Sequence, residues 1–494
     1  MLKKTSYSIW IILLLALGLR FIGISHGFPF IFHPDEPTIV RSALGIRFDI
    51  NPKHFDWPHL YIYLNYFLYM IFAKLRDLAV VFGYKQQILL ALPLIWNDDL
   101  IFYLLSRSFS AILGALTVIP IYFTAKTIFG KKAGLLSGLA LAIAPFHVWH
   151  SHYALADVPM MFFLSWSLYF SSRVLFKKDA QAYIWAGLFA GLAASTKYNG
   201  LLIAGALVLA HLFRVFSERE EKLLDIKSWG KLILAGLASV AGFLAGTPFA
   251  LIDYSTFLRT DGPQGALWQF TNVGSVDFVV HVKQFFSVLV NKLPENFGYT
   301  LLVLFLTAFL YVIVNMIRTK KVWINKDLLF FTVVGLGLIF YVSGLEKTRS
   351  HYFFIAYPAV LIGGIGFLSQ QLDKLNFKLK ELIWVFVFLP PLYFSIIGAR
   401  TFYNSDTRQQ LYYWLFANKS KISRVYTNDA DIKPVFDMAA VGAQVVKSEA
   451  EILNPQYLVL SDGDAFTINP AGYEKVLCIE NKGKRGPNIK IYSQ

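Results

Sequence analysis

Residues 32–37 read Phe-His-Pro-Asp-Glu-Pro, and the adjacent carboxylates Asp35 and Glu36 are the first groups in the chain whose types and spacing suit chemistry. They follow closely on a strongly apolar run, "YSIWIILLLALGLRFIGI". A carboxylate pair at such a place can accept a proton, coordinate a cation, or simply sit solvated in a loop. His33 before it and the flanking Pro34 and Pro37 restrict the backbone, and the aromatic neighbours lower the local dielectric, which favours a working pair. A third acid, Asp157, stands directly before Val158-Pro159 and a new apolar run. Its blander role is a helix N-cap with proline in the first turn.

Two cations run against the pattern of their neighbours. Lys197 in "AASTKYNGLL" and Arg349 in "EKTRSHYFFIAYPA" each edge an apolar stretch. A lone cation there can snorkel to lipid headgroups, whereas two of them at the depth of the acids suit an anion site for phosphate. His147, His150 and His152 invite a zinc reading, but no Glu stands at a zinc-peptidase spacing, so an aromatic-rich interfacial helix end is preferred and no metal ligand is assigned. "SDGD" at 461–464 lacks the remainder of a calcium loop and is read as a turn. Acids and cations on one face suit transfer of a group from a phosphate-linked, membrane-embedded carrier to an acceptor. The carboxylate takes the acceptor's proton, and the cations stabilise the departing phosphate.

These residues need a membrane scaffold to hold them. The chain has 494 residues, is 56% hydrophobic and 17% aromatic, and has a mean hydropathy of +0.51. Several runs reach the roughly 20 residues that span a hydrocarbon core, so the protein is read as polytopic. The net charge of +15 sits mainly in short connectors between apolar runs, which points to topology and anionic headgroups rather than nucleic acid. The single cysteine, Cys478, excludes an intrachain disulfide. Lys3 and Lys4 precede the first run and no small-residue cleavage site follows it, so that run is read as a retained span.

Basic connectors at Met1–Lys4, Lys126–Lys132, Arg173–Asp179, Arg214–Lys231, Arg318–Lys326 and Lys374–Lys380 place themselves inside. About eleven helices then follow, near 7–24, 101–125, 133–148, 158–176, 182–196, 200–216, 232–250, 298–317, 328–345, 352–370 and 382–398, with the N-terminus inside and the C-terminus outside. On this map FHPDEP, 150–159, 195–200, 251–297 and 346–351 all fall on the outer face. The stretch 60–83 carries Lys74, Arg76 and Asp77 in an apolar context, which predicts interfacial helices, with a re-entrant hairpin as the alternative. The predicted fold class is thus an all-α polytopic membrane domain over 1–400, followed by a small extracytoplasmic α/β domain over 401–494. In the latter, a helix over 407–417 precedes the strand-like runs "SRVYTN", "QYLVLSD", "KVLCIE" and "IKIYS".

The order of "HPDE" after the first helix, Arg107 to Val118, "APFHVWHSHYALADVP", "TKYNG" and "RSHYFFIAYPA" resembles the GT-C superfamily of glycosyltransferases. More narrowly it is similar to family 39, the protein O-mannosyltransferase and aminoarabinose-transferase group, over about residues 7 to 400. The resemblance implies an inverting transferase of the plasma membrane, using a polyprenyl-phosphate sugar and acting outside on a protein, lipid or glycan acceptor. It implies Asp35 as base, Glu36 and Asp157 as further members of the catalytic set that position it, and Lys197 and Arg349 at the donor phosphate. His33, His152, Tyr198 and His351 stand in the same motifs and are assigned to substrate contact. No cofactor is certain, and a divalent cation stays open. Residues 251–297 are too short for the MIR domain of the mannosyltransferases, which leaves the acceptor open.

A transporter or flippase of a lipid-linked anion is the rival reading. Against it, no inverted repeat is evident and the charges gather on one face instead of at the midplane. A scaffold whose outer domain binds partners would leave the acids and cations without a shared purpose.

Overall fold

The computed structural model describes residues 3–85, 99–218, 226–373, 375–422, 424–448, 451–452, 456–462, 468–470 and 472–493. Lys374, residues 219–225 of the Arg214–Lys231 connector and the Asp464 end of the SDGD run lie outside the described residues. Two compact units result: Met1–Phe21 with Asp35–Ser395, and Ile22–Pro34 with Ile396–Gln494.

The first unit is helical. It begins with α1 (Lys3–Phe21), α2 (Glu36–Gly45), α3 (Leu60–Val81), α4 (Leu100–Leu116), α5 (Val118–Ala142), α6 (Pro145–His150), α7 (Asp157–Lys177) and α8 (Ala182–Thr196). Seven helices among the described residues are long and apolar enough to cross a membrane, and α1 and α8 contribute shorter apolar stretches. The chain is an integral membrane protein. Length and composition alone do not carry the count of about eleven, partly because α7 has a polar seam. Ser165, Ser167, Ser171 and Ser172 are buried along it, small hydroxyls that bond backbone carbonyls and let neighbouring helices approach.

Two expected elements take a different form. The span read as 133–148 is interrupted: α5 ends at Ala142, and α6 starts at Pro145. Proline forces the preceding Ala144 into an extended conformation (ψ 111°), so the helix cannot continue through it. The 60–81 stretch is one unbroken helix of 22 residues, not a hairpin. Within α5, Gly130 turns the chain at φ 87°, which places the basic "FGKK" corner where a connector was expected.

Close packing sets where α8 lies. Gly187 and Gly191, one turn apart, face the Ile226–Gly246 helix, and a Cβ at either would lie 2.0 Å from the carbonyl oxygen of Ala235 or Ser239. Only glycine permits that approach, and the two helices come together as small-residue pairs do in membranes. The consequence is a fixed position for Lys197, the residue after α8.

The second unit holds a five-stranded sheet in the order β2-β1-β3-β5-β4, from β1 (Val425–Thr427), β2 (Ala443–Val445), β3 (Tyr457–Ser461), β4 (Glu474–Ile479) and β5 (Ile489–Ser493). β1 runs parallel to β2 and β3, whereas β5 is antiparallel to β3 and β4. The Thr407–Asn418 helix opens with a capping box from Asp406 and Gln409. Its Leu411 and Leu415 pack with Val425, Val435, Phe436, Val459, Ile489 and Ile491 into one core. The four strand-like runs of the sequence correspond to β1, β3, β4 and β5. β2 and the Lys433–Ala439 helix, 3 and 7 residues long, were not read from the sequence.

Candidate active site

Glu36 opens α2 and is fully buried. A bare carboxylate there would be costly, so its partners decide its form. Arg107 of α4 donates Nε to Glu36 Oε1 and Nη2 to Oε2, each at 2.7 Å, and the Ala154 amide donates to Oε1 at 2.9 Å. The planar guanidinium matches the carboxylate bidentately. Both oxygens of Glu36 are thereby committed. Asp35, its half-buried neighbour, occupies the N-cap position of α2 and makes no side-chain cap bond. Because Ala154 lies three residues before Asp157, the same carboxylate ties the first acidic motif to the start of α7.

A second buried cation organises the segment between α5 and α7. The guanidinium of Arg20, near the end of α1, donates to the carbonyls of Ala16, Leu141 and Ala142, to Ser151 Oγ (3.2 Å) and to His147 Nδ1 (2.8 Å). A positive group at the C-terminus of α5 satisfies carbonyls that have no helical partner and complements the helix dipole. Because arginine only donates, His147 Nδ1 is the acceptor and carries no proton. Gly114 of α4 must be glycine here, since a Cβ would meet Ser151 Oγ at 2.6 Å.

At the start of α7 the buried Asp157 accepts from Lys197 Nζ at 2.7 Å. The Lys197 side chain retains 16% exposure, so a small anion can reach it. Around this pair stand His150 and His351, ring centroids 6.3 Å apart, and His351 lies within the fields of Asp157, Lys197, His150 and Arg349. Lys197 Nζ is also 5.4 Å from the Tyr352 ring centroid and 5.7 Å from that of Trp57, inside cation–π range. Arg349 itself is exposed and precedes the Ser350–Ala356 turn, which Glu295 holds through Ser350 Oγ (3.1 Å).

The remaining candidates are placed differently. Tyr198 donates its hydroxyl to the Phe55 carbonyl (2.7 Å), and His152 Nδ1 bonds the Val148 carbonyl (2.8 Å) in a fully buried position. Both are engaged in holding backbone. His33 is half-buried in the 22–34 stretch of the second unit. Among the described residues no group of three or more His, Cys, Asp or Glu gathers as a metal-ligand set.

This arrangement of helices and loops is shared with solved proteins. ArnT from Cupriavidus metallidurans in the apo state superposes with a TM-score of 0.54 at 14% identity, covering 98% of this chain and 97% of that one. The protein has the GT-C fold. Residues 104–245 of this chain also match the family model described as dolichyl-phosphate-mannose-protein mannosyltransferase, which bears out the family 39 resemblance read from the motifs. AglB from Archaeoglobus fulgidus has the same fold, with a TM-score of 0.52 at 14% identity over 92% of this chain and 69% of that one. Dolichyl-phosphate-mannose–protein mannosyltransferase 1 of Saccharomyces cerevisiae is 33% identical over 155 residues, 30% of this chain. The match spans only 18% of that yeast protein's length.

Sequence reading assigned no role to Arg20, Arg107 or Trp57. The signal for the two arginines was present: each stands inside an otherwise apolar run, where an ionised group needs a partner within the bundle. Trp57 carried no comparable signal, because one aromatic in so aromatic a chain does not stand out.

Proposed function

We propose that this protein is an inverting glycosyltransferase that moves a sugar from a polyprenyl-phosphate donor to a hydroxyl or amine acceptor at the outer face of the plasma membrane. The observation that carries the reading is the half-buried Lys197, paired with Asp157 and flanked by His150 and His351, beside the segment that Glu36 anchors. The acceptor oxygen or nitrogen attacks the anomeric carbon as the bond from that carbon to the phosphate oxygen breaks. Its proton passes to the Asp35 carboxylate, and the electron pair leaves with the polyprenyl phosphate. Lys197, with Arg349 at the exposed rim, stabilises the charge on that phosphate. Glu36, saturated by Arg107 and the Ala154 amide, positions Asp35 instead of taking the proton itself. Asp157 orients Lys197 through their 2.7 Å hydrogen bond. In-line attack opposite the leaving group inverts the anomeric centre.

The membrane scaffold and the relatives support this reading. AglB was solved in complex with an inhibitory peptide and a dolichol-phosphate, and ArnT bound to undecaprenyl phosphate. The positive-inside pattern of the connectors supports an outward-facing site and C-terminus, with 1–400 as the catalytic domain and 401–494 as an extracytoplasmic domain. The acceptor class stays broad: protein, lipid or glycan.

Detergent-purified protein incubated with radiolabelled polyprenyl-phosphate sugars, together with candidate acceptors, should release free polyprenyl phosphate for one sugar and not the others. Asp35→Asn should lower that rate by on the order of 100-fold or more, since general-base contributions run about 10² to 10⁴. Parental turnover in Asp35→Asn would remove the base from Asp35.

A further inference from the structure

The chain on both sides of Trp57 is tied to other elements. The three residues before it are stitched to their surroundings: His54 bonds Ser42 Oγ at 2.9 Å through Nε2 and the Asp56 carboxylate through Nδ1. The Phe55 amide donates to the Gln264 carbonyl, and the Phe55 carbonyl accepts from Tyr198. On the far side, the His59 amide donates to Thr247 Oγ1 (3.1 Å) and its Nε2 bonds the His54 carbonyl (2.9 Å). Pro58 removes further freedom between them. The indole carried by this anchored backbone is half-buried, and its ring centroid lies 5.7 Å from Lys197 Nζ. Tyr352, equally half-buried, presents a second ring at 5.4 Å from the same nitrogen.

We infer that Trp57 and Tyr352 are the sugar-stacking walls of the donor site, taking the apolar C–H face of a pyranose whose phosphate is bound at Lys197. The inference rests on the transferase reading above and adds the part of the donor that these rings recognise. A phosphate bonded to Lys197 puts the sugar one ester linkage away, and both ring centroids lie within 6 Å of that nitrogen. An aromatic face is electron-rich and a sugar's axial C–H bonds are weakly positive, so the two faces attract as edge-to-face aromatic contacts do. The same faces already attract the Lys197 ammonium, so cation and sugar are offered one continuous electron-rich surface. Preorganisation matters because a ring fixed before binding loses no freedom on stacking.

The test compares binding of sugar-free undecaprenyl phosphate with that of a panel of undecaprenyl-phosphate monosaccharides to the full-length protein in detergent. Trp57→Ala should weaken the best-bound sugar lipid on the order of tenfold and leave sugar-free undecaprenyl phosphate within about twofold of the parental affinity. Trp57→Phe, which keeps a stacking face and guards against a misfolded Ala variant, should retain most of the affinity. Lys197→Ala should weaken both lipids. Equal weakening of both lipids by Trp57→Ala would mean that the indole touches the lipid tail or merely holds Lys197, and would overturn the inference, as would no weakening of either. Unchanged binding of both lipids to Lys197→Ala would instead overturn the phosphate site itself, and the sugar subsite with it.

Discussion

Arg107 and Glu36 meet through two parallel hydrogen bonds of 2.7 Å, with side-chain exposures of 1% and 0%. The pair joins α4 to the N-terminus of α2, and its remaining bond to the Ala154 amide joins both to the approach of α7. Three elements distant in sequence therefore converge on one carboxylate.

Removing one member of that pair should cost more than removing both. Arg107→Met leaves a buried carboxylate without its counter-ion and should destabilise by about 3–5 kcal/mol, as broken buried pairs do. The double variant Glu36→Gln/Arg107→Met should recover part of the loss. Thermal unfolding in detergent, run as a double-mutant cycle, measures the coupling, and additive losses would deny it.

The ion pair between Lys197 and Asp157 should govern the donor more than the fold. Lys197→Ala should lower both turnover and affinity for polyprenyl phosphate, because the phosphate loses its cation. Asp157→Asn keeps the shape but releases Lys197 from its orientation, so turnover should fall while the unfolding temperature shifts little. A variant series in which only the unfolding temperature moves would assign the pair to stability alone.

Gly191→Val tests whether helix approach positions the cation. The added Cβ would lie 2.0 Å from the Ser239 carbonyl, so α8 and the Ile226–Gly246 helix must part. Overpacking of this kind costs about 1–3 kcal/mol. Turnover should fall along with the unfolding temperature, since Lys197 immediately follows α8. Gly236→Ala on the same Ile226–Gly246 helix meets open space and should be silent in both measurements.

Acid should loosen the loop that carries Trp57. Burial pushes the His59 imidazole down to about 4, against an ordinary value near 6.5. The unfolded chain therefore binds a proton before the folded one does, and the stability tied to neutral His59 is complete above about pH 6.5 and lost as pH falls towards 4. The unfolding temperature should decline across that window in the parent and decline less in His59→Gln. Identical pH profiles would place the acid sensitivity elsewhere.

The membrane class, the helical first unit and four of the five strands of the sheet were legible because each rests on local pattern: long apolar runs, a proline or glycine at a corner, alternation in short strands. Asp157, Lys197, Arg349 and His351 could be singled out as candidates because a charge or imidazole at the edge of an apolar run stands out whatever surrounds it. Pairing was not legible. No spacing links position 36 to 107, or 157 to 197, and the choice of Arg107 for Glu36 is made by which helix faces pack, which depends on glycines such as Gly114 and Gly191 admitting close contact. For the same reason Tyr198 and His152, plausible as substrate ligands by type, have their hydrogen bonds turned to backbone in the fold. Residue chemistry was thus written along the chain, whereas the partner that each charge meets follows from long-range packing, as the meeting of Glu36 with Arg107 across 71 positions shows.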